Sequence, residues 1–233
     1  MSRNGSLSTG LHNLDTILLG GFSRGSLIGL NGSGLLLATQ LSIIAQLPES
    51  KGGLESRVLW FEYEKFPADV MRNVAHRFGL STDTAINSIV VSKAPRDITE
   101  GLSLAVEEGV QFIVVEDLYR LGNQPEGQRK GLALLKDWVC RVNGVCVVVN
   151  PLRPLIHDAA LCWSTLSPVS SDYTLHFVPE VYIADIDKRP AVCDKLVGIS
   201  FDKGPTNPLV WVEACQVDGG LFDCKNYGVG VNA

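Results

Sequence analysis

The amino-acid sequence predicts a single α/β domain with a mostly parallel central sheet flanked by helices and an antiparallel C-terminal extension. Short apolar runs bounded by turn residues alternate with helical patterns along most of the chain, which is typical of a sheet with helical crossovers. Several runs are almost continuously apolar, as expected for strands that helices cover on both faces. A length of 233 residues with 45% hydrophobic content is enough for one substantial core.

Each predicted element is a stretch with one periodicity and recognisable boundaries. Strands are predicted at residues 26–30, 57–61, 88–91, 111–115 and 145–149. Helices are predicted at residues 39–47, 67–78, 98–108 and around 132–142, with Gly79 and Gly109 ending the second and third. After Pro151 the pattern changes, and antiparallel strands are predicted at residues 174–177, 181–185, 196–201 and 209–212.

The composition limits the classes of partner. The net charge is −5 and the pI is about 5.4, whereas a protein that grips duplex DNA usually has a basic surface. Any binding of nucleic acid is therefore expected to be local, weak or shared with a partner. No apolar run is long enough for a membrane span, so we expect no membrane partner. The six cysteines lack metal-ligand spacing, and we expect buried, reduced thiols rather than zinc or disulfides.

The strongest motif is a degenerate phosphate-binding loop, or Walker A motif, at residues 32–39. The template G-x-x-x-x-G-K-[ST] holds phosphates with backbone N–H groups and a lysine, and holds Mg²⁺ with a hydroxyl group. Gly32 and Thr39 stand at the first and last positions, but Leu37 replaces the second glycine and Ala38 replaces the lysine. Loss of the charge-assisted lysine contact costs roughly 1.5–3 kcal/mol of phosphate binding.

Two interpretations of this loop remain open. Backbone groups could still bind a nucleotide, and the candidate cofactor-binding positions are then Gly32, Ser33, Gly34, Thr39 and Gln40. Alternatively, the loop is a structural turn whose apolar residues 35–37 fill the space of the nucleotide. We favour the structural turn.

The segments on either side of the loop carry a resemblance to a known family. Residues 9–26 read Thr-Gly-x-x-x-Leu-Asp-x-x-Leu-x-Gly-Gly-x-x-x-Gly-Ser. Later phrases extend the match, and these are Gln46-Leu-Pro48, Gly52-Gly53, the strand that leads to Glu64, and the helical segment 66–80. Together they resemble the ATPase core of the RecA/RadA recombinase family, densely over residues 8–80, adequately to residue 151 and thinly beyond.

The resemblance implies one RecA-like P-loop ATPase core over residues 1–233. About seven residues precede Ser8, so we expect neither the N-terminal DNA-binding domain of the recombinases nor their oligomerisation linker. Without that linker, the chain is not expected to polymerise by itself.

The resemblance also implies that the hydrolytic residues are vestigial. Glu64 aligns with the residue that activates the attacking water, although a solvated acidic residue is an equal interpretation. Glu116 takes the place of the Walker B aspartate that contacts Mg²⁺ in the family, and a structural hydrogen bond is as good an interpretation. Leu152 stands where the family has a polar sensor. Because Leu37, Ala38 and Leu152 are all apolar, we assign no catalytic residue.

A region after residue 151 corresponds to the second DNA-binding loop of the family. The candidate residues there are Arg153, His157 and Trp163. Trp163 could stack on a base, as aromatic side chains do in single-strand grooves. An anchoring role in a partly buried position is an equal interpretation of this tryptophan.

The resemblance implies a paralog of the eukaryotic strand-exchange recombinase with a degenerate ATP site. Such a chain would act without catalysis, in a nuclear heteromeric complex that binds or remodels recombinase filaments on single-stranded DNA during homologous recombination and DNA repair. The implied partners are a second recombinase paralog, the recombinase filament and a SWIM-type adaptor. Neighbouring subunits of the family bury ATP between them, so ATP and Mg²⁺ could lie at a partner interface.

Two alternatives to this function stay open. The first is a weak ATPase of the same family with an aberrant P-loop. The second is a pseudo-ATPase scaffold subunit of another RecA-like assembly, such as the Elongator ring.

Overall fold

The computed structural model describes residues 5–62, 66–92, 98–117, 121, 125–150, 171–179, 193, 195–203 and 211–224. The strands are β1 (Ser6–Leu7), β2 (Phe22–Ser23), β3 (Ser26–Gly32), β4 (Val58–Phe61), β5 (Ile89–Ser92), β6 (Phe112–Val115), β7 (Val145–Asn150), β8 (Tyr173–Pro179), β9 (Lys195–Lys203), β10 (Trp211–Val217) and β11 (Gly220–Asp223). The helices are α1 (His12–Ile17), α2 (Leu35–Ile44), α3 (Ala68–Arg77), α4 (Thr82–Asn87), α5 (Ile98–Glu107) and α6 (Pro125–Val142), with a 3-10 turn at Glu49–Lys51.

Within the described residues, β3 to β11 form one nine-stranded sheet, and β1 pairs with β2 in a separate antiparallel ribbon. The order across the large sheet is β11-β10-β9-β8-β3-β7-β6-β4-β5. Strands β8, β3, β7, β6, β4 and β5 are parallel neighbours, whereas β9, β10 and β11 add in antiparallel fashion beyond β8. The predicted fold class is therefore confirmed.

Helices cover both faces of the parallel part of the sheet. Helices α2, α3 and α4 pack on one face, in a core that contains Leu30 and Trp60. Helices α5 and α6 pack on the other face, in a core that contains Val148 and Trp138. Both tryptophans are fully buried, and each contributes about 1.5–3 kcal/mol or more through the apolar surface it removes from water. Burial on both faces explains the almost continuous apolar runs of the central strands.

The first helix after the Walker A segment differs from its prediction. The sequence predicts a helix over residues 39–47, but α2 runs from Leu35 to Ile44. Leucine and alanine are good helix formers, and no glycine at position 37 interrupts them, so the helix extends back toward β3. Beyond Ile44 the chain tightens into a turn in which the Leu47 N–H donates to the Ile44 carbonyl (2.9 Å).

The C-terminal strands also correct the sequence-based prediction. The segment 174–177 was expected to be antiparallel, but β8 pairs parallel with β3 and antiparallel only with β9. The pairing of a strand depends on a partner that is distant in sequence, which local periodicity does not reveal. Five very short elements were not predicted, and these are helices α1 and α4 and strands β1, β2 and β11. The predicted strand at 181–185 lies outside the described residues.

Candidate functional site

The N-terminal motif that carries the family resemblance is a hydrogen-bonded unit centred on Asp15. Its carboxylate accepts bonds from the Ser8 hydroxyl (2.6 Å), the Thr9 N–H (2.7 Å) and the Thr9 hydroxyl (2.7 Å). The Ser8 N–H donates to the Gly52 carbonyl (2.9 Å), which fixes this unit beside the turn after α2. The motif therefore has a structural role, since it holds the segment that leads into β3.

The Walker A segment does not form an open phosphate loop. In the template the loop links a strand to a following helix, but here β3 ends at Gly32 and α2 already begins at Leu35. The Ala38 N–H donates to the Gly34 carbonyl (3.0 Å) as an ordinary helical hydrogen bond. A helix therefore occupies the last five template positions, and its own hydrogen bonds use the backbone N–H groups from Ala38 onward.

The two replaced positions lie in the protein core. Leu37 and Ala38 are both 0% exposed and pack with the helices on the α2 face of the sheet. Thr39, whose hydroxyl would hold Mg²⁺ in the template, is 1% exposed and donates its hydroxyl to the Leu35 carbonyl (2.8 Å). Residues 35–37, which we expected in a structural turn, belong to the start of α2.

The start of α2 keeps a limited capacity for anions. The first turn of any helix has backbone N–H groups without intrahelical partners, and these attract negative charge. Gly34 is the N-cap, no side chain caps it, and no acidic residue lies in the first turn. Ser33 is exposed and could add a hydroxyl donor. Residues 32–39 include no cationic side chain, so any such contact lacks the charge that a lysine would supply.

Gly34 is needed for the packing of α2 on β3. A Cβ atom at this position would lie 2.5 Å from the Cβ atom of Leu30. Such a distance is far below van der Waals contact, so a larger residue would push the helix away from the strand. Gly34, which stands at a variable position of the template, is thus explained by packing, independent of any nucleotide.

Gln40 is committed to hydrogen bonds within the protein. Its side-chain amide donates to the Thr9 carbonyl (2.7 Å), and its side-chain oxygen accepts from the Leu221 N–H (2.9 Å) and from the Arg77 guanidinium (3.2 Å). The residue is 0% exposed. Gly220 makes room for it, because a Cβ atom there would lie 2.5 Å from the Gln40 side-chain oxygen. Gln40 therefore joins the N-terminal motif to strand β11.

Arg77 supports the same junction from α3. Its guanidinium donates to the Leu221 carbonyl (2.6 Å) and lies 3.5 Å from the centre of the Phe222 ring. Burial lowers the pKa of Arg77, and the nearby Asp223 carboxylate partly opposes that effect. Asp223 in turn accepts hydrogen bonds from the His12 N–H (2.6 Å) and the Asn13 N–H (3.0 Å) at the start of α1.

Glu116, at the Walker B position, lies at the carboxyl edge of the sheet. Glu116 directly follows β6, is 7% exposed, and donates its N–H to the Phe61 carbonyl at the end of β4 (3.1 Å). Asp117 is 1% exposed. In open α/β sheets ligands bind at this edge, so the position suits a magnesium ligand as well as a structural carboxylate.

A row of polar side chains that sequence analysis did not single out follows the same edge. The Asn150 amide donates to the Asn31 side-chain oxygen (3.3 Å), and Asn31 Nδ2 lies 3.2 Å from His176 Nε2. These residues are register partners across β7, β3 and β8. Leu30 faces α2, and successive side chains alternate between faces, so this row lies on the face opposite the Walker A helix. The sequence signal that could have identified this row is a polar residue at the end of an otherwise apolar strand.

Several predicted site residues lie outside the described residues. These are Glu64, Leu152, Arg153, His157 and Trp163. Among the described residues, no group of three or more His, Cys, Asp or Glu side chains is arranged to hold a metal ion. In the same part of the chain, no helix combines the length and the apolar character that crossing a bilayer requires.

Comparison with known proteins locates similarity in the N-terminal half of the chain. A family model described as Rad51 matches residues 3–116, which include the Asp15 unit, the Walker A segment and Glu116. The DNA repair protein RAD51 of Saccharomyces cerevisiae is 36% identical in an alignment over 93 residues that covers 38% of this chain. The matched segment spans 23% of the length of the yeast protein.

Proposed function

Because this chain belongs to the RecA/RadA recombinase family, we propose that it acts in homologous recombination and DNA repair as a non-catalytic paralog of the strand-exchange recombinase. It works in the nucleus, within a heteromeric complex that binds or remodels recombinase filaments on single-stranded DNA. The observation that carries this proposal is the start of α2 at Leu35, inside the segment where a P-loop protein wraps its phosphates.

The geometry of α2 supports a chain that does not hydrolyse ATP. Leu37 and Ala38 are buried where the template has a flexible glycine and a phosphate-binding lysine. A phosphoryl-transfer site depends on positioning and on electrostatic stabilisation of the transferred phosphate. Without the lysine, and with the Thr39 hydroxyl bonded to the Leu35 carbonyl, this segment offers neither.

The same features support a function in a complex. Neighbouring subunits in the RecA/RadA recombinase family bury ATP between them. A subunit with a degenerate site can therefore still cover a nucleotide that its partner holds. The net charge of −5 favours a complex in which the partner supplies most phosphate contacts to DNA. We propose a second recombinase paralog as the direct partner, with the recombinase filament as the target and a SWIM-type adaptor as a further subunit.

A weak ATPase is the second candidate, and the buried acidic pair Glu116–Asp117 at the carboxyl edge favours it. If a nucleotide bound there, these carboxylates could reach its Mg²⁺, because hard cations prefer oxygen ligands. Isothermal titration of the whole chain with Mg-ATP separates the two candidates. No measurable heat is expected, and tight binding together with phosphate release would refute the non-catalytic function.

Affinity capture of the tagged chain from its own cells tests the proposed complex. We expect the recombinase or one of its paralogs to co-purify at a defined stoichiometry. A second capture with Asp69→Ala, an exposed position on α3, serves as a control for effects of surface mutation. Co-purification of Elongator subunits in place of recombination proteins would instead favour a scaffold role in that ring.

A further inference from the structure

The antiparallel hairpin formed by β10 and β11 brings two thiols into contact. The Sγ atoms of Cys215 and Cys224 are 3.0 Å apart, and the two residues are 5% and 1% exposed. Cys215 is the register partner of Phe222, and Cys224 follows two residues later on the same face of the hairpin. Cys193, which is 8% exposed, packs in the same small cluster.

We propose that Cys215 and Cys224 form a redox-active pair that closes to an intramolecular disulfide bond on exposure to a peroxide. The first thiolate attacks the peroxide, which breaks the O–O bond and leaves a sulfenic acid and hydroxide. The second sulfur then attacks the sulfenic sulfur, the S–S bond forms, and the second oxygen leaves as water. Two thiols lose two electrons and two protons, and one hydrogen peroxide becomes two waters.

The geometry requires only a small movement. A disulfide has an S–S length of about 2.05 Å, so the two sulfur atoms must approach each other by about 1 Å. Both residues lie on adjacent antiparallel segments, and rotation about the Cα–Cβ bonds can supply such a shift. Three cysteines lie close together here. Even so, no group of three or more potential metal ligands among the described residues is arranged to hold a metal ion that would compete with the disulfide.

The environment of the pair slows the reaction. Burial raises the pKa of Cys224, and a hydrogen bond from Cys215 opposes this, whereas Cys193 and the carboxylates of Glu213 and Asp223 raise it further. A raised pKa lowers the thiolate fraction and hence the rate. In a reducing compartment the bond would be transient, as redox-sensing disulfides are.

The disulfide would fix the strand that clamps the N-terminal motif. Leu221 and Asp223 lie between the two cysteines in sequence, and they bond to Gln40 and to the start of α1. A closed loop over residues 215–224 constrains the unfolded chain and holds β11 against β10. Oxidation should therefore raise the melting temperature, independently of whether the chain binds ATP or a partner.

Mass spectrometry of the whole chain tests the proposal. After treatment with hydrogen peroxide and denaturing alkylation, we expect four of the six cysteines to be alkylated, because two are joined. Trypsin leaves Cys215 and Cys224 in one peptide, since no Lys or Arg lies between residues 204 and 224. A second digestion with chymotrypsin, which cuts after Phe222, should then yield two fragments joined by the S–S bond.

Matched variants show which two cysteines form the disulfide bond. Cys215→Ala and Cys224→Ala should each abolish the linkage and the rise in melting temperature, whereas Cys140→Ala, at an exposed position on α6, should change neither. The proposal is overturned if all six cysteines remain alkylatable in the oxidised wild-type chain, if the linked fragment contains Cys193 instead, or if purified protein retains stoichiometric zinc that protects this cluster. The mapping on wild-type protein does not depend on the folding of any variant.

Discussion

The side-chain oxygen of Gln40 accepts a hydrogen bond from the backbone N–H of Leu221 at 2.9 Å, across 181 residues of sequence. The opposite end of the same amide donates to the Thr9 carbonyl at 2.7 Å. The residue that follows the Walker A segment thus connects the N-terminal motif with the last described strand. In this chain its visible role is to hold the two ends of the domain together.

Replacement of Gln40 by alanine should destabilise the domain. The substitution leaves the buried Leu221 N–H and the Thr9 carbonyl without their partner, and an unsatisfied buried group costs about 1–3 kcal/mol. Urea denaturation should show a lower midpoint with an unchanged slope. Gln46→Ala is the matched control, because the Gln46 side chain bonds locally, to the Ser42 carbonyl one turn away (2.9 Å). Equal losses in the two variants would contradict the clamp role.

Restoration of the Walker A lysine alone should not restore ATP binding. Position 38 is 0% exposed, so Ala38→Lys forces a charged side chain into the core, where overpacking alone costs about 1–3 kcal/mol. We expect a lower unfolding midpoint and no heat on titration with Mg-ATP. Ser33→Lys introduces the same charge at an exposed position and should leave stability nearly unchanged. An Ala38→Lys variant that is as stable as wild type and binds ATP would show that the loop opens readily.

Trp163 should contribute to single-stranded DNA binding by the proposed heteromeric complex. If it stacks on a base, Trp163→Ala weakens the affinity by about 1–3 kcal/mol in fluorescence-anisotropy titrations and leaves assembly intact. Trp138→Ala provides the contrast, because this fully buried tryptophan should lower stability by about 3–5 kcal/mol. A Trp163→Ala complex with unchanged affinity but a lower melting temperature would assign this tryptophan an anchoring role.

Thiol reactivity should distinguish the two cysteines near the end of α6. Cys140 is exposed, whereas Cys146 is fully buried in β7, and burial raises the pKa of Cys146 far above its ordinary value. Because the thiolate is the nucleophile, iodoacetamide should label Cys140 and spare Cys146, even at mildly alkaline pH. Peptide mass spectrometry resolves the two, since trypsin cuts at Arg141. Both sites should react once the chain is denatured, and labelling of Cys146 in the folded chain would indicate an open core.

The sequence predicts the central sheet well, because each central strand is apolar on both faces. Val114 in β6 and Val147 in β7 lie in the α2-side core, whereas Val115 and Val148 lie in the other core. Glycine also marks ends correctly, as at Gly79, where the chain leaves α3 with φ +71°. Such signals are local, since they depend on a few consecutive residues and on burial that any globular fold requires.

The Walker A segment shows the limit of a template. The sequence shows the spacing of the motif and its replaced residues. It predicts that α2 begins at residue 39, whereas the helix begins at Leu35. A motif match assumes the backbone conformation of its template, whereas Leu37 and Ala38 gain more from burial in a helix. The same limit explains Gln40, which the match places near a cofactor and the structure places between Thr9 and Leu221.

By itself, the sequence determined the alternation of strands and helices, the degenerate phosphate loop and the resemblance to the recombinase family, because these depend on residue type and spacing. Only the tertiary structure decided that β8 runs parallel beside β3, that Asn31 meets Asn150 and His176, and that Cys215 touches Cys224. Each of these contacts joins segments through strand register. Which strands become neighbours depends on the packing of the whole sheet and is not specified by a local pattern along one strand, whereas the register within the β10–β11 hairpin also depends on its turn.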